Sequence, residues 1–74
     1  MIDVLLVDDD LELCELLVEF LQTEGFQVTA VHNGVAGVEE AARDHYSLVL
    51  LDVILPRMNG FDVLRKIRHR SNIP

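Results

Sequence analysis

Carboxylates stand at the ends of two apolar runs in this sequence. Residues 8–10 are three consecutive aspartates that follow the apolar residues 4–7, and Asp52 follows the apolar residues 48–51. Short apolar runs without alternation are typical of strands that are covered on both faces of a sheet. A carboxylate at the mouth of such a strand is costly unless a cation sits beside it. We therefore predict a cation site in which Asp52 is the working residue.

The residue types favour a hard divalent cation and phosphoryl chemistry. Three carboxylates within about 4–6 Å repel one another by on the order of 1 kcal/mol per pair in water, and a divalent cation removes that penalty. Mg²⁺ prefers oxygen ligands and commonly takes one or two carboxylates plus a phosphate oxygen. One carboxylate of such a site can also attack phosphorus and form an aspartyl phosphate. Asp8, Asp9 and Asp52 are the candidate residues, whereas Asp10 is interpreted first as a helix cap.

Three strands and three helices are predicted to position these side chains. The predicted strands cover residues 4–7, 27–31 and 48–52. The first predicted helix begins at Leu11, and the second and third cover about 35–44 and 61–69. Gly25 is placed to end the first helix as its left-handed residue. Apolar residues of that helix fall at helical spacing, namely Leu13, Leu16, Leu17, Phe20 and Leu21, with Cys14 and Val18 beside them. In the third helix, Phe61, Leu64 and Ile67 are expected to face inward.

The element order βαβαβα favours an α/β fold of the flavodoxin-like class, with a parallel sheet and right-handed crossovers. Residues 27–31 alternate polar and apolar side chains, which is typical of an edge strand. The two apolar strands should therefore be central, which gives the strand order 2-1-3. In this order Asp8 and Asp9 lie beside Asp52 at the carboxyl ends of neighbouring strands, where ligands bind in open α/β sheets.

Composition narrows the range of functions. The chain has 74 residues and a net charge of −7, from 13 acidic and 6 basic side chains. This balance argues against a general binder of nucleic-acid phosphates and suits binding of cations or of a basic partner. Cys14 is the single cysteine, so no internal disulfide is expected. We predict a cytoplasmic protein without a signal peptide or membrane span, because no run of about 20 apolar residues is present.

Several separated motifs resemble the receiver domain of bacterial two-component response regulators. They are LLVDDD at residues 5–10, EGF at 24–26, NG at 33–34, LLDVILP at 50–56 and MNG at 58–60. The resemblance covers the whole chain, and residues 1–74 are identified as the N-terminal part of a receiver domain. In detail the chain is similar to receivers of the winged-helix transcription-factor class, and among these to the Cpx-type envelope-stress regulators.

This resemblance implies a role for each candidate residue. Asp52 would be the phosphoacceptor, which receives a phosphoryl group from a sensor histidine kinase in the presence of Mg²⁺. Asp9 would ligate the metal directly, Asp8 would act mostly through a metal-bound water, and Ile54 would offer its backbone carbonyl. Gly60 would shape the neighbouring loop. The protein would be a regulator and not an enzyme, and it would reach DNA only through an output domain outside this chain.

The family pattern also predicts what this sequence leaves out. A receiver domain has five strands and five helices, so a hydroxyl residue and a lysine that contact the phosphoryl group in the family are expected beyond residue 74. The outer edge of the strand at 48–52 would then lack a partner, which favours unwanted strand pairing. We therefore predict self-association, either by pairing of third strands across a two-fold axis or by exchange of elements.

Two other function classes stay open on sequence grounds. One is a Mg²⁺-dependent hydrolase with an aspartyl nucleophile, although no substrate cap or distal acid–base set follows the first strand. The other is a structural self-association module with a vestigial acidic site. The basic residues 65–70 are interpreted as partners of a helix dipole. The histidines have no metal-ligand spacing, and Cys14 is interpreted as a core residue.

Overall fold

Three parallel strands form one sheet in the computed structural model, which describes residues 1–74. The strands are β1 (Ile2–Val7), β2 (Phe26–Val31) and β3 (Leu48–Leu51), and the helices are α1 (Leu11–Thr23), α2 (Gly34–Ala41) and α3 (Gly60–Arg68). The order across the sheet is β2-β1-β3, so the predicted order 2-1-3 is confirmed. Val7 pairs with both Val31 and Leu51, which aligns the carboxyl ends of the three strands.

The central strand β1 forms the middle of the core. Its residues Val4, Leu5, Leu6 and Val7 are at most 3% exposed, as expected for a strand covered on both faces. Leu5 and Val7 belong to a hydrophobic cluster that includes Ala41 of α2 and Val63 and Ile67 of α3. Asp8 and Asp9 therefore directly follow the most buried strand of the molecule, at its carboxyl end.

Helix α1 begins and ends as its sequence predicts. The Asp10 side chain accepts a hydrogen bond from the Leu13 backbone N–H at 3.1 Å and caps the helix. Gly25 has φ +91°, in the left-handed region that glycine adopts without strain. Its N–H donates to the Gln22 carbonyl at 3.1 Å.

None of the three helices combines the length and the apolar character that crossing a bilayer requires.

Two expectations about the helices are wrong. Phe61 and Leu64 of α3, which were expected to face inward, are exposed, whereas Ile67 is buried. In α1 the buried residue is Cys14. Helix α2 ends at Ala41 and not near residue 44. The chain leaves α2 through a tight turn in which Asp44 has φ +60° and donates its N–H to the Ala41 carbonyl.

Candidate metal centre

The three predicted carboxylates converge at the carboxyl ends of β1 and β3. Each of Asp8, Asp9 and Asp52 offers a carboxylate oxygen, and these atoms lie within 4.8 Å of one another. Asp8 is buried, Asp52 is half-buried and Asp9 is exposed. The cluster therefore runs from the end of the buried central strand outward to solvent and has one open side.

The position of Asp52 follows from the pairing of β3 with β1. Its backbone N–H donates to the Val7 carbonyl at 2.9 Å, which continues the ladder one residue beyond the strand. Its Oδ1 accepts a hydrogen bond from the Ile54 N–H at 3.1 Å. Its Oδ2 has no hydrogen-bond partner in the protein. One oxygen is thus held by the loop, and the other is available for a ligand.

Asp8 and Asp9 are positioned by the turn between β1 and α1. The Asp8 N–H donates to the Val31 carbonyl at 3.1 Å, which ties it to β2. Its Oδ1 accepts a hydrogen bond from the Asp10 N–H at 2.9 Å. Since the Asp10 side chain is used by the helix cap, the prediction that Asp10 is a cap is confirmed. The Asp9 carboxylate accepts no hydrogen bond from the protein and is available for a ligand.

No basic side chain neutralises this cluster. The six Lys and Arg residues all lie between residues 43 and 70. The ion pairs of the chain join Arg43 to Glu40 and Arg65 to Asp62. Three carboxylates in such proximity repel one another, and a bound cation would offset that repulsion. An all-oxygen set with an open side suits Mg²⁺, which keeps several waters when bound.

The loop after Asp52 packs against the start of α3. The Gly60 N–H donates to the Val53 carbonyl at 2.7 Å. A Cβ atom on Gly60 would overlap the Asp52 carbonyl oxygen and the Val53 Cα. Asn59 caps α3 by accepting a hydrogen bond from the Asp62 N–H at 3.1 Å. Only glycine therefore permits this approach of the helix to the backbone that carries Asp52.

Two residues that contact the site were not predicted from the sequence, and the predicted role of a third is not tested by the structure. Ile54 is 81% exposed, and the role of its carbonyl stays a prediction. The side chains of Cys14 and His32 both contact the Asp8 carbonyl oxygen. No local sequence signal indicates that contact, because His32 lies 24 residues from Asp8 and reaches it only through the pairing of β1 and β2.

Comparisons with known proteins agree with this geometry. Residues 4–74 match the family described as the response regulator receiver domain. The "Transcriptional regulatory protein CpxR homolog" of Haemophilus influenzae is 49% identical over 70 residues, which cover 95% of this chain and 30% of that protein. This chain therefore spans less than a third of the length of that curated relative.

Two solved structures have the same fold. One is the receiver domain of a sensor histidine kinase from Pseudomonas aeruginosa PAO1, described with a magnesium ion coordinated in the active site cleft. It is 32% identical with a TM-score of 0.91, and the match covers 97% of this chain and 62% of that one. The other comes from a complex of the histidine kinase ThkA with the response regulator TrrA. It is 35% identical with a TM-score of 0.90, over 96% of this chain and 61% of that one.

Proposed function

The chain belongs to the response regulator receiver domain family, and we propose that Asp52 accepts a phosphoryl group from a histidine kinase to control transcription. The predicted resemblance to receiver domains and to Cpx-type regulators is confirmed by the family match and by the CpxR homolog. The observation that carries the assignment to Asp52 is the convergence of its carboxylate with those of Asp8 and Asp9.

Asp52 fits the role of nucleophile better than its neighbours in the cluster. Its Oδ1 is held by the Ile54 N–H, while Oδ2 has no partner in the protein. Asp8 is buried, and Asp9 projects into solvent. In the proposed transfer an Asp52 oxygen forms a bond to phosphorus, the bond from phosphorus to the kinase histidine nitrogen breaks, and the leaving imidazole takes up a proton. Asp52 is therefore regenerated only when the acyl phosphate is hydrolysed.

The other residues of the cluster fit a Mg²⁺ site. Asp9 would bind the ion directly, Asp8 would act mostly through a bound water, and Asp52 and the Ile54 carbonyl would complete the protein ligands. When bound, Mg²⁺ supplies positive charge that offsets the carboxylates and the incoming phosphoryl oxygens. The magnesium ion described in the Pseudomonas aeruginosa receiver domain supports this choice of metal.

A regulatory role is favoured over an enzymatic one. The similar Haemophilus influenzae protein is a transcriptional regulator, and this chain covers 30% of its length. We propose that DNA is reached through an output domain outside these 74 residues, in the cytoplasm. The hydrolase alternative lacks comparable support, because the matching family is the response regulator receiver domain and the similar curated protein is a transcriptional regulator.

Mg²⁺ binding tests the site against the alternative of a vestigial acidic cluster. At a free Mg²⁺ concentration tenfold above Kd, the unfolding free energy of the native chain should rise by about 1.4 kcal/mol, from RT ln(1+[L]/Kd). Asp9→Asn should lose most of this rise. Without Mg²⁺, the same variant should be more stable than the native chain by up to roughly 1 kcal/mol, because one repelling charge is gone.

The matched control for that experiment is Asp10→Asn. Asparagine caps helices about as well as aspartate, and Asp10 donates no carboxylate oxygen to the cluster. Chemical denaturation with and without Mg²⁺ should therefore give the native response in this variant. A native chain that is not stabilised by millimolar Mg²⁺ would contradict the metal site and favour a purely structural module.

Self-association of the 74-residue chain is a separate proposal. Strand β3 has a strand neighbour only on its β1 side. Leu50 near its carboxyl end is exposed, as are Val53 and Ile54 just beyond the strand. The edge is partly covered, because the Val49 N–H donates to the Pro74 carbonyl at 2.8 Å. Pairing between copies would therefore use the part of the edge nearest to Asp52.

Light scattering coupled to size exclusion measures this association. A dimer should have twice the 8.4 kDa of the single chain. Leu50→Lys should give a monomer because it places a charge at the proposed contact. Leu16→Lys, at an exposed position of α1, should leave the dimer intact. A native chain that elutes as a monomer would refute the proposal.

A further inference from the structure

Two side chains converge on the main-chain carbonyl oxygen of Asp8. His32 Nδ1 lies 3.1 Å from this oxygen and Cys14 Sγ lies 3.4 Å from it. The sulfur and the ring nitrogen are themselves 3.8 Å apart. Strand β2 ends at Val31, so side chains provide the hydrogen bonds to a carbonyl that the sheet no longer reaches.

Because the acceptor is a carbonyl oxygen, Cys14 and His32 must both act as hydrogen-bond donors in these contacts. A carbonyl oxygen only accepts hydrogen bonds, so the Cys14 thiol and His32 Nδ1 must each carry a hydrogen. The Cys14 thiol is accordingly the donor in its contact with the Asp8 carbonyl oxygen. A hydrogen bond from His32 to this oxygen requires, in the neutral ring, the tautomer with its proton on Nδ1.

These bonds hold the backbone from which the cluster projects. The Asp8 N–H is tied to the Val31 carbonyl, and the Asp8 carbonyl is tied to His32 and Cys14. That carbonyl belongs to the same planar peptide unit as the N–H and Cα of Asp9. Its orientation therefore determines the direction in which Asp9 leaves the turn.

We propose that His32 is a positioning residue for the carboxylate cluster, and that it orients Asp8 and Asp9 through the Asp8 carbonyl with Cys14 as the second donor. The proposal rests on the Mg²⁺ site proposed above. A metal site built on the Cys14–His32 pair itself is not favoured, because no third ligand atom joins them. His32 is an exposed residue, but its Nδ1 lies within hydrogen-bond distance of the Asp8 carbonyl oxygen.

Mg²⁺ affinity in three histidine variants tests the proposal. His32→Phe keeps a ring of similar size and removes the donor, and its Kd for Mg²⁺ should rise about tenfold, the lower end of the loss usual for outer-shell partners. His32→Asn returns an N–H donor and should restore most of the affinity. His69→Phe, at the exposed C-cap of α3, should bind Mg²⁺ as the native chain does. A purely structural role would instead lower the unfolding free energy and leave Kd unchanged in the folded fraction.

A second measurement does not need the metal or the variants. The nitrogen-15 NMR spectrum of the metal-free native chain should show neutral His32 protonated on Nδ1. Protonation on Nε2 would overturn the proposal, as would native Mg²⁺ affinity in folded His32→Phe. Failure of the native chain to bind Mg²⁺ would instead refute the proposed function, while the tautomer would still decide whether the hydrogen bond exists.

Discussion

Replacing Asp52 with Asn is expected to abolish phosphorylation of the full-length regulator by acetyl phosphate. An amide at this position is not a nucleophile toward phosphorus, whereas the carboxylate forms an acyl phosphate. The neighbouring acids should not substitute, because Asp8 is buried, Asp9 binds Mg²⁺ in the proposed site, and the Asp10 side chain is used in the cap of α1. Intact mass spectrometry should show one acid-stable, base-labile phosphoryl group on the native protein and none on the variant.

Asp10→Asn is the matched control for this loss. It makes the same chemical change two residues from Asp8, keeps the helix cap, and should be phosphorylated as the native regulator is. Omission of Mg²⁺ should suppress the native reaction, because the cluster then repels the anionic donor. Phosphorylation that persists in Asp52→Asn would place the nucleophile elsewhere.

Gly60→Ala is expected to disturb both the fold and the site. The added Cβ would overlap the Asp52 carbonyl oxygen and the Val53 Cα, and backbone atoms move less readily than side-chain ends. The unfolding free energy should fall by about 1–3 kcal/mol or more, as overpacking generally causes. Because Asp52 must shift with its backbone, Mg²⁺ affinity should fall as well.

Gly25→Ala separates these two effects. Gly25 has φ +91° and nothing near the position of an added Cβ. Alanine in this left-handed conformation costs roughly 1–2 kcal/mol, so the variant should lose stability by backbone strain alone. Its Mg²⁺ affinity should equal that of the native chain. If Gly60→Ala also kept native Mg²⁺ affinity, the contact between α3 and the Asp52 backbone would have no functional consequence.

The strand order and the acidic site could be predicted because their signals are local. Residues 4–7 and 48–51 are uniformly apolar, residues 27–31 alternate, and each apolar run ends in aspartate. A strand with alternating polar and apolar side chains is buried on one face of the sheet, whereas a uniformly apolar strand is buried on both. The carboxyl ends of neighbouring parallel strands then necessarily meet, which is why Asp8, Asp9 and Asp52 could be grouped before the structure was known.

Helix faces and helix ends were harder to predict, for physical reasons. Helix α1 has two apolar stripes with helical spacing, one through Leu16 and Phe20 and one through Cys14, Val18 and Leu21. Periodicity does not decide which one faces the sheet. The end of α2 at Ala41 carries no glycine or proline signal, because Asp44 adopts the left-handed conformation of the turn.

The contacts that support the site depend on tertiary structure. His32 reaches the Asp8 carbonyl only because β1 and β2 pair in the register that aligns Val7 with Val31. The requirement for glycine at position 60 likewise arises from the approach of α3 to the Asp52 backbone. A single sequence without the fold contains no distance information of this kind.

Reduction of the phosphorylated regulator with borohydride, followed by peptide mass mapping, tests the assignment of Asp52 most directly. Hydride converts an aspartyl phosphate into the alcohol of homoserine and releases phosphate, which marks the phosphorylated position. Phosphorylation of Asp52 should give homoserine at position 52, and only after treatment with both Mg²⁺ and the phosphodonor. Homoserine at position 8, 9 or 10, or none in a protein that carries phosphate, would contradict it.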